Sequence, residues 1–293
     1  EKYSGPAAAA ALATLKAVAA AARGDAAVAI TAADAALGSG GMPDVSTMMA
    51  MMVKVLALAQ LGRLPEMHYL REQAHALARS SQATLMPLTT FTEFYVWGLR
   101  MGGCIAEARQ TVDAIRESTD GPTGLQWTEC ITAGVELAQG SASAAAHRLE
   151  WVATAVEVDP LGWLYRYGID QITAQAIAGQ AAEAVATLSK IEAIPHCSFA
   201  YLAPQRILAS AWVLAAQGWV SGAIAEANRA AREAAAHTQP VQEVLCLQVA
   251  PQSGDTATAP RLAELAAILD VPRAGASAAH AAERSFWNRA DMD

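Results

Sequence analysis

Seven side chains in the middle of this 293-residue chain have the types and spacing to hold a polar ligand: Glu93, Trp97, Trp127, Arg166, Asp170, Gln205 and Trp212. Tryptophan is suited to stacking on the C–H face of a saturated ring or to capping an apolar group. Glutamate, glutamine, arginine and aspartate supply directional donors and acceptors for hydroxyls. Arg166 and Asp170 stand four residues apart, a spacing that pairs them on one helix face. The same residues have a second reading. Tryptophan at helical spacing packs cores, and an Arg–Asp pair at this spacing also serves as a solvated bridge.

No catalytic chemistry competes with this. The chain has no GxxxxGK stretch, no HExxH, no GxSxG and no Cys-His metal spacing. His68 and His75 are seven apart and could share a helix face, but no glutamate stands at the catalytic offset. Cys104, Cys130, Cys197 and Cys246 are far apart, which points to reduced, buried thiols and a cytoplasmic setting. The expectation is a non-enzyme with no cofactor and no metal. Net charge is −8 with four lysines, so the chain lacks the clustered cations that a nucleic-acid groove needs. Residues 7–22 are apolar but interrupted by Lys16 and shorter than the roughly 20 residues of a membrane span, so they read as a packed helix.

The elements that must position these residues are helices. Hydrophobic residues make up 54% of the chain and aromatics 6%, so alanine, the best helix former, carries much of the apolar content. Alternating β-branched runs between tight-turn dipeptides are almost absent, and the chain reads as all-α. Glycines at 24, 62, 103, 140, 179, 218 and 254 interrupt the helical pattern at steps of 38, 41, 37, 39, 39 and 36 residues, by subtraction. Five positions beyond them stand Ala29, Met67, Ala108, Ala145, Ala184, Ala223 and Ala259. A recurring period of this size marks stacked helix pairs, each with an apolar face that only its neighbours can bury. Residues 161–184 are the clearest copy: a helix, a break at Gly179 and a second helix folding back. Residues 1–270 are expected to form about seven such pairs at a period near 39 residues. Residues 271–293 read as a partial repeat or a disordered tail, as in a segment cut from a longer chain.

The helix-pair period resembles tetratricopeptide (TPR) repeats. That resemblance implies a right-handed TPR-like superhelix whose first helices line a concave groove, with inward positions 13, 10, 9 and 6 residues before each glycine. These positions hold Thr90, Glu93, Phe94 and Trp97, then Trp127, Cys130, Ile131 and Gly134, then Arg166, Ile169, Asp170 and Thr173, then Gln205, Leu208, Ala209 and Trp212. Polar and aromatic groups thus fall in one column of adjacent repeats.

The stretches LALAQLGRLPEMHYLREQAHALA, GGCIAEARQTVDAI and VQEVLCLQVAPQSGDTATAPRLAELAAILDVPRAGASAAHAA resemble the helical segment of large actinobacterial LuxR-type regulators, similar in plan to the maltose regulator. The portion from 252 to 282 is the most specific, whereas the ending SFWNRADMD departs from the pattern. The resemblance implies an effector-sensing domain of a cytoplasmic transcriptional regulator. It also implies a di- or trisaccharide inducer in the groove, NTPase and helix-turn-helix domains as partners elsewhere in the full-length protein, and self-association on activation. No nucleic acid or membrane is expected to bind this segment directly. The alternative is a protein–protein interaction scaffold that docks a partner or the regulator's own NTPase domain. Asparagine occurs only at 228 and 288, which leans against a repetitive peptide clamp.

Overall fold

The computed structural model describes residues 5–118, 122–156, 159, 162–194 and 197–290. Among these residues the chain is helical and contains no strand. The helices are α1 (Pro6–Arg23), α2 (Ala26–Gly38), α3 (Asp44–Leu61), α4 (Leu64–Ser80), α5 (Leu85–Gly102), α6 (Ile105–Ser118), α7 (Pro122–Ala138), α8 (Ala142–Arg148) and α9 (Val152–Ala155). They continue as α10 (Tyr165–Ile177), α11 (Ala181–Glu192), α12 (Ala203–Ala216), α13 (Val220–Ala236), α14 (Pro240–Leu247), α15 (Val249–Gln252), α16 (Ala259–Ile268) and α17 (Pro272–Ala290). Short 3-10 segments at Gln82–Thr84 and Cys197–Leu202 lead into α5 and α12.

Each of the seven glycines read from the sequence stands between two consecutive helices with φ between 72° and 90°. This left-handed conformation lets the chain leave one helix and enter the next without a Cβ penalty. At Gly24, Gly62 and Gly103 the following residue's N–H bonds back to a carbonyl five positions earlier, closing the last turn. Proline at the first or second position opens α1, α4, α12, α14 and α16, where its missing N–H costs nothing. The Asp25 carboxylate caps α2 by accepting from the Val28 N–H at 3.2 Å.

Six of the seven residues standing five beyond the glycines are buried, Ala259 being half-buried. Ala29, Ala108, Ala145, Ala184 and Ala223 are small. Met67 is the large exception, and a glycine makes room for it: a Cβ on Gly98 would stand 2.4 Å from the Met67 methyl carbon. α3 is long and apolar enough to cross a membrane, and 56% of it is buried inside the fold, where ten of its side chains feed the core.

The last third of the chain returns to the first. The Cys197–Leu202 segment packs on α1, α14 packs on α3 and α5, and α17 packs on α5. A Cβ on Gly62 would meet Val241 at 2.8 Å, and one on Gly103 would meet the Arg273 backbone nitrogen at 2.9 Å. Arg273 donates to the Met101 and Arg100 carbonyls at 2.8 and 2.9 Å, which satisfies the end of α5. Gln239 donates to Gln60 at 3.1 Å and to the Tyr201 carbonyl at 3.3 Å. Helix pairs therefore meet partners far beyond their sequence neighbours.

This return contact predicts unequal costs at two similar turns. Gly179→Ala has open space and should lose about 1–2 kcal/mol, from backbone strain alone. Gly103→Ala must also displace Arg273 and should lose about 1–3 kcal/mol more. Urea unfolding of both variants measures the difference, and equal losses would mean that α17 does not dock on α5 in solution.

Candidate functional site

α5 and α10 are the two helices buried nearly all round. Residues 91–102 of α5 and 165–172 of α10 are each an unbroken buried run. A soluble helix with no wet face must lie at the centre of the fold, and the inward column of polar residues lies where these two meet α7.

Glu93 is the hub and is 3% exposed. Its carboxylate accepts from the Arg166 guanidinium at 2.5 Å, from the Tyr167 hydroxyl at 2.5 Å and from the Trp127 indole N–H at 3.1 Å. Arg166 also lies over the Phe94 ring, 5.0 Å from its centroid. Two turns further along α5 and one turn along α10, Arg100 donates to Asp170 at 3.0 Å. Arg166 and Asp170 do not pair with each other as their spacing suggests: each takes its partner from α5, 73 and 70 residues away in sequence. An intrahelical bridge is worth a few tenths of a kcal/mol in water, whereas a buried charge must find its strongest partner.

Trp97 is 2% exposed and meets Tyr201 edge to face, with centroids 6.0 Å apart. Gln205 is buried beside Met101, its amide donating to the thioether at 3.3 Å. Trp212 is half-buried two turns further along α12, packed on the hydrophobic core. The structure thus gathers Glu93, Trp97, Trp127, Arg166 and Asp170 into one cluster, with Gln205 and Trp212 on its α12 side.

Arg100 is the member that the inward register misses. It lies seven residues beyond Glu93, so a search along the face of Glu93 and Trp97 would have reached it. Gly134 marks its place: a Cβ there would stand 2.1 Å from the Arg100 Nη1. The glycine is a socket for a guanidinium, not only a thin spot on a groove wall.

The cluster is closed. Glu93, Val96, Trp97, Arg100, Ile131, Arg166 and Tyr167 line a cavity of about 10 Å³, room for one water. Trp97 Nε1, Arg100 Nε and Arg166 Nε and Nη1, on side chains that line it, are buried without a hydrogen-bond partner, as is the hydroxyl of Tyr201, which packs on Trp97. Burial, with the Glu93 charge next, pushes the Tyr167 hydroxyl far above its ordinary 10.0. Burial likewise raises the Cys130 thiol, helped by the Glu93 and Asp170 charges, so it is no nucleophile. Cys104, Cys130 and Cys246 are free thiols, and the side chain of Cys197 lies outside the described residues. No three histidine, cysteine or carboxylate side chains cluster as metal ligands among the described residues.

A scan of the chain against protein-family models finds no match, and a search of curated proteins finds none either.

Two outcomes follow from the cluster. Glu93→Gln leaves the Arg166 charge buried without its counter-charge and should lose about 3–5 kcal/mol in urea unfolding. Adding Arg166→Met should restore most of it, and a double variant as unstable as the single one would contradict the pairing. Burial also raises the hydroxyl pKa of Tyr95, Tyr165, Tyr167 and Tyr201 above 10.0. Their stabilisation is complete below the unfolded value. Above it the unfolded chain releases protons that the folded chain retains, so stability falls by up to about 1.4 kcal/mol per tyrosine per pH unit. In a variant with Tyr3→Phe and the exposed Tyr69→Phe, which leaves only these four tyrosines, phenolate absorbance should therefore rise together with unfolding; titration near pH 10 while that variant is still folded would contradict the burial.

Proposed function

We propose that the chain is the effector-sensing part of a cytoplasmic LuxR-type transcriptional regulator, built as a TPR-like right-handed superhelix of about seven helix pairs. Its effector is a small saccharide. The observation that supports this best is the cluster itself: two buried ion pairs with the buried Trp97 and the half-buried Trp127, drawn from three helix pairs and only half-satisfied. Packing alone does not call for it, because apolar residues of similar volume usually serve as well or better. A latch does call for it. Closing α5 on α10 makes the ion pairs but strands several donors, whereas separating them returns those donors to water or to a ligand's hydroxyls. A ligand shifts such an element only by binding one state better than the other. In the regulator, the NTPase and helix-turn-helix domains would read the state of the latch.

A second reading has its own support. Leu12, Leu15 and Val18 are exposed at three-residue steps along α1, with Leu15 64% exposed. That strip suits a protein partner or the regulator's NTPase domain, and the chain would then be a docking scaffold.

A thermal-shift screen with mono-, di- and trisaccharides decides between them. An effector raises the melting temperature with its concentration. Glu93→Gln combined with Arg166→Met should change its apparent affinity several-fold, because the closed state no longer opposes opening. A flat response to every saccharide, with tight capture of the NTPase domain, selects the scaffold.

A further inference from the structure

The buried cluster offers about 10 Å³, but a cleft of about 490 Å³ opens on the other side of the helix that carries Trp127. We infer that this cleft, between α7 and the α8–α9 turn, is the binding site for a neutral small saccharide. The inference rests on the effector reading and moves the ligand out of the interior.

The volume is that of a small-molecule site. Leu125, Gln126 and Glu129 of α7 form one wall, and His147, Arg148 and Trp151 form the other. Trp151 is half-buried against the core, so its ring is held in place while one side faces the cleft. Leu125 is 52% exposed opposite it, an apolar contact that water covers when the cleft is empty. A ring with an apolar C–H face fits between them.

The charges select a neutral ligand. Arg148 donates twice to Glu136, at 3.0 and 2.8 Å, and once to Glu129. Arg116 lies 3.9 Å from Glu129, and His147 lies 3.7 Å from Glu150. Glu129 and Arg148 are the opposite charges that line the cleft, while Glu136, Glu150 and Arg116 stand behind or beside them, so the group as a whole has one more carboxylate than guanidinium. A phosphate or carboxylate ligand would meet excess negative charge. A cationic ligand would find Glu129 and Glu136 already engaged by Arg148, and the remaining carboxylate, Glu150, does not line the cleft. Hydroxyls need neither. Of the five guanidinium N–H groups of Arg148, three are used and two are left. The Gln126 amide offers both a donor and an acceptor, and Glu129 has lone pairs to spare.

α7 connects this cleft to the latch. Its residues 125, 126 and 129 face the cleft, while Trp127, through its indole, holds Glu93 on the opposite side. A ligand that draws α7 toward α8 therefore acts on the Trp127–Glu93 bond through one rigid helix.

Titration calorimetry of the chain with maltose, cellobiose and trehalose, and with glucuronate and glucosamine as charged counterparts, tests the assignment. A neutral disaccharide should bind one to one, more tightly than either charged sugar. Leu125→Glu and Glu129→Gln, both at the cleft surface, should each weaken it about tenfold or more. Trp219→Ala, at an exposed site elsewhere, should leave it unchanged. Disaccharide binding that ignores both cleft variants overturns the cleft and leaves the effector reading standing. Preference for a charged sugar overturns the neutral class. Absence of binding by every sugar overturns the effector reading as well.

Discussion

Two ion pairs buried between α5 and α10 set the terms for the rest of the structure. Glu93 with Arg166, and Arg100 with Asp170, take four charges out of water at the centre of the fold. Desolvating them is expensive and is offset only if every geometry around them is held. Much of the surrounding sequence does that holding. Tyr167 and Trp127 occupy further lone pairs of Glu93. Gly134 leaves space for the Arg100 guanidinium, and Phe94 presents its ring face to Arg166. These contacts fix the distance between helices that a purely apolar seam would leave free to slide.

The helix ends show the same economy. α5 finishes at a glycine turn, and its last carbonyls are satisfied by a side chain from α17. At the neighbouring junction, Gln60, Gln239 and Gln242 form a buried amide cluster around the Tyr201 carbonyl. Amides suit this place because each carries donor and acceptor together and brings no charge. The interior is thus ionic between α5 and α10 and amidic where α14 meets α3, with alanine-lined helix pairs outside both.

What was legible in the sequence was what repeats. Seven glycines at a regular step announced seven left-handed turns, and the small residues five positions on announced close helix contact. Counting back from each glycine also picked out Glu93, Trp97, Arg166 and Asp170, which are all buried in a seam between helices and not displayed on an open groove. What was not legible was which residue meets which. The spacing of Arg166 and Asp170 suggested a mutual bridge because local offsets are all that a periodic pattern encodes. Their true partners lie some 70 residues away and depend on how α5 and α10 face each other. The return of α14 and α17 to α3 and α5 was hidden for the same reason, since no period relates residue 273 to residue 101. Arg100 was missed because the register ended six residues before each glycine, whereas Arg100, on the same face, stands three before Gly103.

The contact between Arg273 and the end of α5 also bears on how the chain acquires its structure. Stacked helix pairs that touch only adjacent pairs can form piecemeal, growing from any point along the stack. Here the first and last thirds complete one another, so neither third has its full set of neighbours until the whole chain has been made. Closure spans more than 170 residues, and the loop entropy is lost before the contact is gained. The chain should therefore behave as one cooperative unit with a slow final step, in which docking of α17 is the event that commits it to the native state.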